Sequence, residues 1–81
     1  MKDFEHEMRL YLDNVEPIYN AAEELAEAEN QPTPEQLNAV AESLLETMAG
    51  ETGEQYNALD LRNAMAVVKE FVKEEQEERE A

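Results

Sequence analysis

The side chains that could do acid–base or metal chemistry in this sequence are almost all carboxylates. His6 is the only conventional neutral base, and there is no cysteine. Nucleophilic catalysis needs a Ser, Cys or Thr beside such a base. His6 lies off the apolar stripe of its segment and among acids, so we expect it to be a surface residue. Asp3 and His6 have the i, i+3 spacing of half a di-iron site, but the second half is missing.

Carboxylate pairs four residues apart are the other candidates for chemistry. Glu23 pairs with Glu27 and Glu42 with Glu46, each opposite the apolar stripe of its helix. Paired acids serve as general acid and base only when burial separates their pKa values. The sequence also has neither a glycine-rich phosphate loop nor a calcium-binding loop pattern. We therefore expect a protein that is not an enzyme, with no catalytic residues, no metal site and no cofactor.

A short segment, Asn57-Ala58-Leu59-Asp60-Leu61, superficially resembles the start of the second helix of acyl carrier proteins. Those proteins are acidic helical bundles of about this size, and they attach phosphopantetheine to the serine of an Asp-Ser-Leu motif. Here Ala58 stands at the attachment position, and the segment lies late in the chain, whereas the carrier motif is central. We therefore do not assign the chain to that family.

The elements that must position these carboxylates are predicted to be helices. Eighty-one residues predict one domain, residues 1–81. The segments Gln31–Pro34 and Gly50–Gly53 interrupt the helical pattern, and no strand pattern is present. The sequence predicts an all-α fold, a small antiparallel three-helix bundle with helices at about 2–29, 34–49 and 53–78.

The first segment carries an apolar stripe that Pro17 interrupts. Pro17 lacks the N–H that would bond four residues back, and it disfavours helical geometry at Glu16. Two interpretations follow: one long helix kinked near residues 13–17, or two helices, the second capped by Asp13 or Asn14. We favour the kinked helix because the stripe keeps its phase through the proline. Its members are Phe4, Met8, Tyr11, Val15, Ile18, Ala22 and Leu25.

The other two helices have clearer start signals. Thr33 and Gln36 predict a capping box, and Gly50 suits the left-handed position that terminates a helix. Thr52 and Gln55 predict a second box that starts the third helix. The tail, about residues 74–81, has no apolar anchor before Ala81 and is expected to fray. The predicted core residues of the second helix are Leu37, Val40, Ala41, Leu44, Leu45 and Met48. Those of the third helix are Ala58, Leu61, Ala64, Met65, Val68, Phe71 and Val72.

The charge distribution is the main functional signal. The net charge is −15, and the stretch from Leu10 to Leu61 contains no Lys, Arg or His. Such a surface predicts binding to a basic surface of a partner protein, with a nucleic-acid-binding groove as the sharpest version. The chain is similar in charge and size to small acidic DNA-mimic proteins, often made by phages to block host or defence enzymes. The predicted binding carboxylates are Asp13, Glu16, Glu23, Glu24, Glu27, Glu35, Glu42 and Glu46.

Two alternatives stay open at this point. The acidity could serve only solubility or salt adaptation, while an apolar patch of Tyr56, Leu59 and Val67 forms a dimer or docks a partner helix. Salt discriminates between them, because only the acidic interface weakens with ionic strength. We expect a cytoplasmic protein, since neither a signal peptide nor a membrane helix is recognisable. The expected oligomeric state is a monomer or a homodimer. Direct nucleic-acid binding is disfavoured because the net charge repels phosphate.

Overall fold

The computed structural model describes residues 2–80, and the side chains of residues 4–79. Four helices pack together: α1 (Lys2–Asn14), α2 (Glu16–Glu27), α3 (Pro34–Thr52) and α4 (Ala58–Glu80). The all-α prediction is thus confirmed for the described residues, but the bundle has four helices where we expected three. Within this range no helix combines the length and apolar character needed to cross a bilayer.

The extra helix results from a break at Val15. Val15 has extended geometry (φ −92°, ψ 105°), and its carbonyl accepts from the N–H groups of Ile18 and Tyr19 at 3.0 and 2.9 Å. Pro17 supplies no N–H in this turn, so the ladder of α1 cannot continue through it. The favoured single kinked helix is therefore corrected to two helices.

Neither residue proposed as the cap of α2 caps it. The N-cap is Val15, which makes no side-chain capping bond. Asn14 instead donates from Nδ2 to the carbonyl of Leu10 at 2.7 Å, at the end of α1, and Asp13 pairs with Arg9. Both side chains therefore complete the end of α1 and leave α2 to start without a polar cap.

The start of α3 follows the sequence prediction, whereas its end does not. Thr33 and Gln36 form the reciprocal capping box, with bonds of 2.9 and 3.1 Å. The helix continues through Gly50 and ends at Gly53, whose φ of 76° lies in the left-handed region and whose N–H donates to Ala49. Gly53 satisfies a terminal carbonyl of the helix from that conformation, so it is the terminating glycine.

The predicted capping box of the last helix is also replaced. Thr52 belongs to the final turn of α3, and its hydroxyl donates to the carbonyl of Met48 at 2.9 Å. Asn57 and Asp60 form the reciprocal pair at the start of α4, with bonds of 2.9 and 3.0 Å. The helix then continues to Glu80, so the predicted fraying is not observed up to that residue, and Ala81 lies outside the described range.

The core lies where all four helices meet. Pro34 and Leu37 lie near Val72, while Ala49 lies near Ala58, so α3 and α4 run antiparallel. All six predicted core residues of α3 are buried. Leu12 and Ala26 were missed, and Ala58 was wrongly included, since it is exposed. The buried set is Met8, Leu12, Ile18, Ala22, Ala26, Leu37, Val40, Ala41, Leu44, Leu45, Met48, Ala64, Val68, Phe71 and Val72.

Candidate protein-binding surface

The predicted binding carboxylates do not share one face. Glu42 and Glu46 lie beside Ala58 at the start of α4, whereas Glu27 pairs with Arg79 near its end. Ala58 and Arg79 are about 30 Å apart along the helix axis, at 1.5 Å per residue. Glu42 and Glu46 therefore lie at the opposite end of α4 from Glu27.

Two of the eight carboxylates already form ion pairs with arginines of the same chain. Asp13 lies 3.3 Å from Nε of Arg9, and Glu27 lies 3.5 Å from a guanidinium nitrogen of Arg79. Both pairs are exposed, so each contributes little to stability. Their consequence for binding is larger, because a partner would have to compete with an arginine of the same chain for either carboxylate.

Glu23 is half-buried and belongs to a small polar cluster between α2 and α4. The hydroxyl of Tyr19 donates to Glu75 at 3.3 Å, and its ring packs edge-on against Phe71. The pKa of Tyr19 is raised to about 12, first by the Glu23 carboxylate as a nearby acceptor, then by burial and by the charges of both carboxylates. Since Glu23 faces a tyrosine of its own chain, it is poorly placed for a partner.

The remaining five carboxylates are the best candidates for contact with a partner. All are exposed, and none forms an ion pair with another side chain of residues 4–79. Glu42 accepts a hydrogen bond from Asn38 Nδ2 at 2.9 Å, which fixes its orientation. These groups can do one kind of chemistry well, which is to bind cations. They are Glu16, Glu24, Glu35, Glu42 and Glu46.

A groove of about 330 Å³ lies between the end of α3 and the start of α4. Glu42 and Glu46 stand on its α3 side, and its other lining residues are mostly apolar. Sequence reasoning missed this groove because it depends on the loop that brings Tyr56 and Asn57 back beside α3. The lining is Glu42, Leu45, Glu46, Ala49, Tyr56, Asn57, Ala58 and Leu61.

The apolar patch of the alternative interpretation is smaller than expected. Tyr56 is half-buried and stacks on Phe4, with ring centroids 5.5 Å apart, and Val67 packs against the core. Leu59 remains 62% exposed. Sequence reasoning missed a second exposed leucine, Leu10, which is 46% exposed on α1.

The candidates for metal and base chemistry lie on the surface or outside the described part. His6 is exposed, as predicted. The side chain of Asp3 lies outside the described residues. Among the residues described, no three or more His, Cys, Asp or Glu side chains are grouped so that they could hold a metal ion.

Comparisons with known proteins give no match: no protein-family model fits the chain, and neither curated proteins nor solved structures show significant similarity.

Proposed function

We propose that this protein acts without catalysis, by presenting exposed carboxylates of α2 and α3 to a basic surface of a partner protein. One observation carries the proposal. The stretch from Leu10 to Leu61 contains no cationic side chain, and five of its carboxylates remain exposed without an ion pair among the described residues.

This arrangement works against the stability of the free protein. Like charges at i, i+4, such as Glu42 and Glu46, destabilise a helix by roughly 0.2–0.5 kcal/mol per pair. A cationic partner would relieve that repulsion, so the unfavourable term becomes a favourable one on binding. A surface that served folding alone would place lysines four residues away from these glutamates.

The most specific form of the proposal is that the basic surface is the nucleic-acid-binding groove of the partner protein. Glu42 and Glu46 are about 6 Å apart along α3, at 1.5 Å per residue. Each DNA strand presents one phosphate per roughly 3.4 Å of axis, so a row of glutamates offers negative charge at a comparable scale. The proposed role is that of a DNA-mimic inhibitor, of the kind that phages make.

The test is a pull-down from lysate with the tagged protein, washed with increasing salt and read by mass spectrometry. We expect basic nucleic-acid-binding proteins that elute at moderate salt, because exposed ion pairs are screened. The variant E42K/E46K should lose them, while E70K/E77K, with the same net charge and both changes on α4, should keep them. Circular dichroism of each variant checks the fold.

Equal loss of partners in both variants would mean that net charge alone attracts them and that Glu42 and Glu46 have no specific role. No basic partner at any salt would leave solubility or salt adaptation as the reason for the acidity.

A dimer or helix-docking module is the second candidate, and the exposure of Leu59 favours it. Sedimentation would detect a homodimer that persists in high salt. Loss of that dimer in L59S, but not in a matched L10S variant, would assign self-association to the region of Tyr56, Leu59 and Val67.

A further inference from the structure

We infer that the groove between the end of α3 and the start of α4 binds an arginine side chain from a basic segment of the partner. The inference rests on the proposed function, and it names the residue type that the acidic surface selects. Three features of the groove carry it: an apolar floor, two carboxylates on one side and an aromatic ring.

The floor fits the methylene stem of a long cationic side chain. Leu45 and Leu61 supply apolar surface, and the small side chains of Ala49 and Ala58 leave the space between the helices open. Pockets for drug-sized ligands occupy about 300–1,000 Å³, so a groove of about 330 Å³ holds one or two side chains and not a folded element. Long cationic side chains bury their stems on apolar surface and keep the charge at its edge.

The two carboxylates fit the charged end. Glu42 is oriented by Asn38, and Glu46 follows one helical turn later. Neither carboxylate forms an ion pair with another side chain of residues 4–79. A guanidinium offers five N–H donors in a planar fork, so it can bond two carboxylates that lie about one turn apart. An ammonium carries the same charge but lacks that fork.

Tyr56 favours arginine for a second reason. Tyr56 lines the groove, and its ring is held by stacking on Phe4, with an angle of 16° between the ring planes. Guanidinium groups stack on aromatic faces, an interaction worth about 0.5–1 kcal/mol at exposed sites. The capping box of Asn57 and Asp60 fixes the loop that carries the ring. The aromatic wall is therefore in place before any ligand arrives.

The first test is a titration followed by ¹⁵N–¹H NMR, with the peptide acetyl-Leu-Arg-Leu-amide as the probe. Its citrulline counterpart, which has nearly the same shape without the charge, is the control ligand. We expect saturable shifts of the Ala49, Tyr56 and Leu61 amides with the arginine peptide, and roughly tenfold weaker binding of the citrulline peptide. Absence of localised shifts at millimolar peptide, or equal binding of both peptides, would overturn the inference.

Matched variants separate the groove from general acidity. A58L fills the groove without changing the charge, and A39L places the same side chain elsewhere on an exposed helical position. E42Q/E46Q removes two charges at the groove, and E70Q/E77Q removes two charges from exposed positions of α4 outside it. We expect A58L and E42Q/E46Q to weaken arginine-peptide binding about tenfold, while A39L and E70Q/E77Q retain it within about twofold. Equal losses in the paired variants would refute a specific arginine site.

This inference and the proposed function can fail separately. If salt-sensitive partners from the pull-down still bind A58L, the acidic surface recognises them without the groove, and only the inference fails. If the peptide binds the groove but no basic partner is retained, the proposed function fails and the arginine site stands.

Discussion

Two guanidinium nitrogens of Arg9 lie 3.0 and 3.3 Å from the two carboxylate oxygens of Glu74, so this fork joins α1 to α4 across 65 residues of sequence. The same guanidinium lies 5.1 Å from the ring centroid of Phe71, over the edge of the core. Hydrogen bonding to Arg9 lowers the pKa of Glu74, and the bond raises the pKa of Arg9 in turn. This contact keeps the acidic end of α4 on the bundle.

Replacing Glu74 with Gln should therefore destabilise the protein at neutral pH, by about 0.5–1 kcal/mol for a partly exposed pair. E77Q is the control, because Glu77 is exposed and its loss only reduces net charge. The contribution of Glu74 is present above the unfolded glutamate pKa of about 4.3 and is lost as pH falls through its lowered pKa in the fold. Urea denaturation of wild type and E74Q at several pH values checks this. A difference that persists at the lowest pH would contradict it.

Glu75, the next residue, should affect the pH dependence of stability in the opposite direction from Glu74. The pKa of Glu75 is raised, first by its burial and then by hydrogen bonding with Glu78 and the charge of Glu78. The favourable contribution of Glu75 to stability is present below the pKa of the unfolded state. It disappears as pH rises through the raised pKa of the folded state, so it is missing at neutral pH.

E75Q should thus raise stability at neutral pH, by roughly 0.2–0.5 kcal/mol for one relieved like-charge pair. Its amide oxygen can still accept the bond from Tyr19. Thermal unfolding at neutral and acidic pH tests the change, and the gain over wild type should shrink in acid. A loss of stability would show that the carboxylate itself, as acceptor for Tyr19, matters more than its repulsion from Glu78.

Leu10 and Leu12 differ by two positions and should differ strongly in mutational effect. Leu12 is fully buried, whereas Leu10 is 46% exposed. L12A should cost about 2–5 kcal/mol because it removes buried methyl groups and leaves a cavity. L10A should change the free energy of unfolding by less than about 0.5 kcal/mol. Chemical denaturation measures both, and similar values would mean that α1 packs with a different face.

Replacing each of the two glycines with alanine should change stability in opposite directions. Gly50 lies inside α3, and a Cβ there would meet no atom within 4 Å, so G50A should stabilise by about 0.5–1 kcal/mol. Gly53 has φ of 76°, a conformation that alanine adopts with strain, so G53A should destabilise by about 1 kcal/mol. Thermal unfolding of the two variants decides which glycine ends the helix. Destabilisation by G50A would restore the sequence-based choice of Gly50.

The sequence by itself determined the helical class and almost all of α3. Thr33 and Gln36 lie within one helical turn, and the apolar positions from Leu37 to Met48 recur at every turn, so local spacing suffices to predict the cap and the buried face. It also determined the net charge and the absence of cations between Leu10 and Leu61, which depend on composition alone.

Only the tertiary structure decided where α1 ends, which of its residues enter the core and which distant side chains pair. The phase of the apolar stripe continues through Pro17, so it could not reveal that α1 ends at Asn14 and that Leu12 enters the core. The tail from Glu74 onward looked unanchored because Arg9 and Tyr19, which contact it, are more than 50 residues away. Glu27 likewise pairs with Arg79, 52 residues along the chain. Pairings at such sequence distance depend on how the helices pack, and no spacing rule along the chain encodes them.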